Sequence, residues 1–256
     1  MVERAVVLGA GRLGVPMAQV LAMAGYMVEL VDLRERTDRD WAELVIRARR
    51  AWAAGARLLG DSRGDFWRRL RLRRGYGRWL RTAACLFEAL PEDLALKRAV
   101  YQQLGRWLRP ECLVGATSAS LAPADLAPLL PHPDRFLLTH WSQPVLVMPL
   151  VEMAPGEATS AEVVEQMDGL LRRCGKEPVL LSGRPGLVSA RLTSLVESET
   201  ARMVDEALGS PEAIDRAVRL GLGLRLLAGG LAWRRDEEAT MREALRLRGI
   251  LDLGGE

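Results

Sequence analysis

The chain has 256 residues, 49% of them hydrophobic, with a formal net charge of +3 and a pI near 9.0. This excludes a disordered or low-complexity polypeptide and suits one large core or a domain and a half. Cys85, Cys112 and Cys174 are scattered and odd in number. Their spacing predicts neither a disulfide framework nor a metal site, but buried thiols in a reducing compartment. No apolar run reaches bilayer length and the chain enters a strand at once, so the expectation is a cytoplasmic protein with no membrane association, signal peptide or metal.

In chain order, Val6-Val7-Leu8 is a short apolar strand that runs into Gly9-Ala10-Gly11-Arg12-Leu13-Gly14 and then an apolar helix through about Ala24. In this Gly-x-Gly-x-x-Gly turn Gly9 permits the tight bend, Gly11 lets backbone approach a pyrophosphate, and Gly14 lets the helix pack on the strand with its N-terminus toward the anion. A second strand, Tyr26 to Asp32, ends in an acid about twenty residues after the turn, where a ribose 2′-hydroxyl would be held. Asp32 would repel a 2′-phosphate, which favours NAD over NADP, whereas Arg34 and Arg36 just beyond could accommodate one. The alternative is a glycine-tightened strand-to-helix turn with Asp32 solvated.

Residues 34–81 hold fifteen arginines against six acids, a net of +9. Trp41 to Leu59 has helical apolar spacing, Gly60 to Gly64 breaks it, and Phe66 to Leu80 is predicted as one or two further helices. This basic helical excursion could grip a phosphorylated substrate such as coenzyme A, or be a solvated helical face. Its aromatics show no stacking platform, so nucleic acid is not expected as a partner.

Strand and helix then alternate: strands at Ala84–Leu90, Cys112–Ala116, Arg135–His140, Leu150–Ala154 and Pro178–Leu181, with helices at Glu92–Trp107 and Ala161–Arg173. This predicts an α/β fold, an N-terminal Rossmann-type doubly wound sheet over residues 1–184, with ligand at the strands' carboxyl ends. Beyond Ser182 to Gly186 the pattern becomes helical, at Leu187–Leu208, Ser210–Leu220 and Asp236–Leu247, with Ser210 as N-cap and Pro211 at the first helical position. Residues 185–256 are therefore expected to form a smaller all-α domain serving substrate binding and dimerisation.

Only two histidines occur. His140 precedes Glu152 by twelve residues, and an imidazole with a carboxylate for its second ring nitrogen suits a general base in alcohol oxidation. The competing reading is a structural histidine at a strand end and an ordinary surface acid.

Together these segments resemble the L-3-hydroxyacyl-CoA dehydrogenase family, including its hydroxy-acid relatives, over about Glu3 to Leu231. Phe87-Glu-Ala-Leu-Pro-Glu-Asp-Leu-Ala-Leu-Lys97 is similar to the family's glutamate-alanine-x-proline-glutamate segment. That resemblance implies that Glu92 and Lys97 contact the nicotinamide half of NAD. His140, Pro144 and Pro149-Leu-Val-Glu152 match the catalytic segment, which implies that His140 takes the 3-hydroxyl proton and Glu152 orients it. Pro185-Gly186, Arg191, Ser210 to Asp215 and Gly221 to Gly223 continue the match.

The family's asparagine-threonine-serine-serine-leucine run reads here as Thr117-Ser118-Ala119-Ser120-Leu121. The ungapped register puts Ala119 at the first serine, and a one-residue shift could recruit Ser118 or Ser120 as the substrate-contacting hydroxyl. The asparagine three residues after the catalytic histidine is Gln143, and the asparagine before Arg191 is Ala190; Gln143 could still donate an amide. After Leu231 the chain departs from the family's further helices, leaving apolar surface that a homodimer would cover. The implied function is NAD-dependent hydride transfer to and from a 3-hydroxyacyl compound, with a coenzyme A thioester as the expected small-molecule substrate. The alternatives are a dehydrogenase of a free 3-hydroxy acid and an NAD-binding protein with impaired catalysis.

Overall fold

A computed structural model describes residues 2–34, 37, 40, 42–43, 45–46, 48–50, 53, 64–118 and 120–229. Its centre is one eight-stranded sheet with strands β1 (Arg4–Leu8), β2 (Met27–Val31), β3 (Leu70–Arg73), β4 (Ala83–Glu88), β5 (Leu113–Ala116), β6 (Phe136–Trp141), β7 (Leu150–Pro155) and β8 (Glu177–Leu180). The spatial order is β3-β2-β1-β4-β5-β6-β7-β8. From β3 to β6 all neighbours pair in parallel. The chain winds outward from β1 to β3 and returns to β4 on the other side of β1, so the winding reverses between β1 and β4, where an open α/β sheet leaves a crevice at its carboxyl edge.

The central strands read Val/Leu/Ala-rich because both their faces are covered. On one face helix α1 (Gly14–Met23) and a later helix at Ala161–Arg173 enclose Val7, Met17, Leu21, Phe87, Trp141 and Leu171. Phe87 and Trp141 meet edge to face at 5.5 Å between centroids. On the other face helix α2 (Leu94–Leu104) packs Val100, Tyr101 and Leu104 against Leu86, Val114 and Phe136. Asp93 caps α2 by accepting from Leu96 N at 3.0 Å, and Ser160 caps the 161–173 helix, here α3, by accepting from Val163 N.

One expectation changes. The helical reading of Phe66 to Leu80 gives way to a 3-10 turn at Gly64–Arg69, strand β3, and a second 3-10 turn at Arg78–Thr82. Leu70 and Leu72 alternate with Arg71 and Arg73, and this period of two puts both leucines on the α1 side of the core. The high arginine content hid that alternation. Of the expected helix at Trp41–Leu59, residues 42, 43, 45, 46, 48–50 and 53 are helical; the others lie outside the described residues.

At the far side of the sheet β7 runs antiparallel to β6, and β8 parallel to β7. Only residues 142–149 join β6 to β7, and a parallel return needs a crossover of a dozen or more.

Contacts group the chain into two compact units that meet between Ala190 and Arg191. The second contains most of α4 (Val188–Asp205), then α5 (Pro211–Ala217), a π-helical turn at Val218–Gly223 and α6 (Leu224–Gly229). Ser210 caps α5 by accepting from Ala213 N at 3.2 Å, with Pro211 at its first position. The expected helix at Asp236–Leu247 lies outside the described residues.

Candidate active site

The glycine turn follows β1 at the point where the winding reverses. Gly9 has φ +109°, and a Cβ there would lie 2.5 Å from the carbonyl oxygen of Ala89, the residue after β4. A Cβ on Gly14 would strike the Gly9 carbonyl, so the helix start and the turn are in direct contact. Gly9 N donates to Val31 O at 2.7 Å and Ala89 N to Leu8 O at 2.8 Å, which ties the turn to the ends of β2 and β4. Gly11 differs, since a Cβ there would meet nothing within 4 Å. Its bare backbone faces open space in the turn just before a ten-residue helix, which fits the close approach of a pyrophosphate. Arg12 is exposed at the turn and Leu13 packs on the core.

Asp32, just beyond β2, is 3% exposed. Its carboxylate accepts a two-pronged pair from the Arg34 guanidinium, Nε to Oδ1 at 3.1 Å and Nη2 to Oδ2 at 2.9 Å, and Oδ1 also accepts from Arg34 N at 3.0 Å.

At the ends of β4 and β5 lies a denser polar cluster. Glu92 Oε1 accepts from Ser118 Oγ (2.6 Å), Ser120 N (2.8 Å), Ser120 Oγ (2.8 Å) and Leu121 N (3.3 Å). Its Oε2 lies 3.6 Å from Lys97 Nζ. Burial pushes this carboxyl up, but the hydrogen bonds from Ser118 and Ser120 and the Lys97 charge outweigh it and bring it down to about 2. Lys97 is wholly buried, and its ammonium donates to Glu88 Oε2 at 2.9 Å and Thr117 O at 2.6 Å. Tyr101 donates to the same Glu88 oxygen at 2.7 Å, and Leu90 N to the other at 2.6 Å. Burial raises the Glu88 carboxyl, opposed by the Lys97 charge and these hydrogen bonds.

Ser118 is 4% exposed, with its hydroxyl committed to Glu92 and to accepting from Leu121 N at 2.8 Å. Ala119 lies outside the described residues.

His140 and Glu152 are direct cross-strand partners in the β6–β7 ladder, so their side chains stand on one face of the sheet, about 5 Å apart at Cβ. They share the face that carries Glu88 and α2, because side chains alternate along each strand. His140 is half-buried and Glu152 is 2% exposed. Among the described residues no hydrogen bond joins the two side chains; the Glu152 carboxylate accepts from Ser189 N at 2.9 Å and from Ser189 Oγ. Gln143 is exposed in the 142–149 connection, and Ala190 is half-buried.

Sequence reasoning missed Ser189, Glu88, Tyr101 and Thr117. Lys97 and Tyr101 stand four apart on one helical face, and a strand-borne glutamate flanked by apolar residues was a usable sign that the three meet. Ser189 carried no such signal.

Among the described residues no three His, Cys, Asp or Glu side chains gather to hold a metal, and no helix is long and apolar enough to cross a membrane. Burial pushes Cys112 and Cys174 up to about 12, so both stay protonated at neutral pH.

Residues 4–184 match the family model for the NAD-binding domain of 3-hydroxyacyl-CoA dehydrogenase. L-carnitine dehydrogenase of Pseudomonas aeruginosa is 32% identical over 219 residues, which cover 80% of this chain and 68% of that one. 3-Hydroxyadipyl-CoA dehydrogenase of Escherichia coli is 32% identical over 227 residues, 87% of this chain and 46% of that protein, so the chain spans about half its length. Among solved structures, (S)-3-hydroxybutyryl-CoA dehydrogenase of Ralstonia eutropha superposes with a TM-score of 0.75 at 25% identity, covering 99% of this chain and 95% of that one.

Proposed function

The chain belongs to the 3-hydroxyacyl-CoA dehydrogenase family of NAD-dependent oxidoreductases, and from that premise we propose that it interconverts a 3-hydroxyacyl and a 3-oxoacyl compound with His140 as the general base. The observation that carries this reading is the facing pair of His140 and Glu152 on β6 and β7, on the carboxyl side of a sheet whose glycine turn fits a dinucleotide. NAD supplies the hydride acceptor when bound.

In this reading His140 accepts the proton of the 3-hydroxyl during oxidation and returns it during reduction. Glu152 stabilises the imidazolium that forms, the work a buried carboxylate does behind a histidine. Its own orientation is held by Ser189 through two hydrogen bonds. Glu92 and Lys97 are assigned to the nicotinamide side of the site. Lys97, itself buried, acts from behind Glu92, and Ser118 positions the same carboxylate from the front. Gln143 is assigned as an amide donor to the same region, in place of an asparagine.

A coenzyme A thioester is the leading substrate class. A free 3-hydroxy acid is the second, and one observation favours it. Four strands separate β3 from β6, so its arginines lie about 24 Å from the His140 strand at ordinary strand spacing. Strand β3 of the basic excursion is thus five strand spacings from the proposed base. NADH oxidation measured with acetoacetyl-CoA and with acetoacetate decides between them. Turnover of the thioester alone supports the first class, turnover of the free acid supports the second, and turnover of neither with NADH still bound rejects both. A homodimer in a reducing, cytoplasmic setting completes the proposal, and sedimentation tests the dimer.

A further inference from the structure

The adenosine end of the cleft carries charges that a ribose bearing two free hydroxyls does not require. Asp32, the acid that would hold those hydroxyls, is buried, and both its oxygens are engaged by Arg34 in a two-pronged pair. The Arg34 side chain is itself 66% exposed. A guanidinium has five N–H donors; Nε and one hydrogen of Nη2 go to Asp32, which leaves three for a ligand.

The neighbouring strand adds to this. Asp32 N donates to Arg73 O at 3.1 Å, so the end of β3, with Arg73 and Arg74, lies beside the end of β2. Arg73 donates to Glu29 at 2.7 Å and lies over Trp79 at 5.8 Å, while Arg4 also donates to Glu29. Arg34 thus stands against Asp32, and Arg4 and Arg73 against Glu29 within the sheet. An acid that would repel a phosphate is neutralised in place, and a planar fork that suits one points outward.

We propose that the end of β2 accepts NADP(H) as well as NAD(H), with Arg34, held on Asp32, binding the 2′-phosphate of the adenosine ribose. The proposal rests on the reading of residues 9–14 as a dinucleotide turn.

The test is direct binding of NADH and of NADPH, followed by fluorescence or calorimetry, on the wild type, on Arg34→Gln and on the double variant Arg34→Gln/Asp32→Asn. In the wild type at low salt, NADPH binds within about tenfold of NADH, and its affinity falls more steeply with added salt. Arg34→Gln weakens NADPH about tenfold or more and NADH less than about threefold. In the double variant NADPH stays weak, because the phosphate has lost its partner. Three results overturn the proposal: wild-type NADPH binding more than tenfold weaker than NADH, equal effects of Arg34→Gln on both ligands, or recovery of NADPH in the double variant, which would make Arg34 a mere shield for Asp32. If neither ligand binds, the dinucleotide reading of the glycine turn falls as well; NADH binding without NADPH overturns only this proposal.

Discussion

Glu92 gathers four donors on one carboxylate oxygen, and this makes it a pH-sensitive contributor to stability. Its folded value of about 2 lies below the ordinary 4.5, so its contribution is complete above about pH 5 and is lost as pH falls through 4.5 toward 2. Glu92→Gln should therefore be less stable than the wild type at pH 7 in urea titrations, with a gap that narrows between pH 5 and pH 3. Lys97 offers a sharper case. Lys97→Met leaves Glu88 buried without its cation and should cost about 3–5 kcal/mol in the same titration. Adding Glu88→Gln should recover part of that loss, because the uncompensated charge disappears. At this scale the sequence anticipated positions: Gly9, Gly11 and Gly14 fall in the turn between β1 and α1, and His140 faces Glu152 across two strands. It was silent on Ser189, whose hydroxyl and amide reach Glu152 only because the chain folds back across 37 residues.

Among the elements, the turn between β1 and α1 joins the fold to the site. A methyl on Gly14 would collide with the Gly9 carbonyl, so Gly14→Ala has to push α1 off its strand. It should lower NADH affinity about tenfold or more, and cost about 1–3 kcal/mol, in parallel binding and denaturation measurements. Gly11→Ala is the control: its added methyl meets open space, so stability should hold while NADH affinity falls. The alternating strands and helices were legible because buried parallel strands leave short apolar runs and their helices carry caps such as Asp93 and Ser160. Strand β3 was not, since Leu70 and Leu72 supply only two apolar residues amid arginines and acquire meaning only beside β2. The reversal at β7 likewise depends on a connection too short for a helix, a fact of length more than of composition.

For the molecule as a whole, the sheet order places the candidate site residues along a line. Asp32 and Arg34 lie at β2, the glycine turn at β1, Glu88 and Glu92 at β4, Thr117 and Ser118 at β5, and His140 with Glu152 at β6 and β7. From β2 to β6 this line spans about 19 Å, an extended arrangement that, in the proposed reading, a dinucleotide would follow toward His140. The order of strands was not legible from the chain, because it arises from which edges pair. The family assignment gives NAD as a cofactor, and the histidine's task is the central claim. The decisive measurement is NADH oxidation with acetoacetyl-CoA by the wild type and by His140→Gln, with NADH binding titrated on the same samples. The expected result is turnover by the wild type and a fall in kcat of about 10²- to 10⁴-fold in the variant, with NADH affinity unchanged. Equal turnover by the two proteins would remove His140 from the reaction and contradict the account.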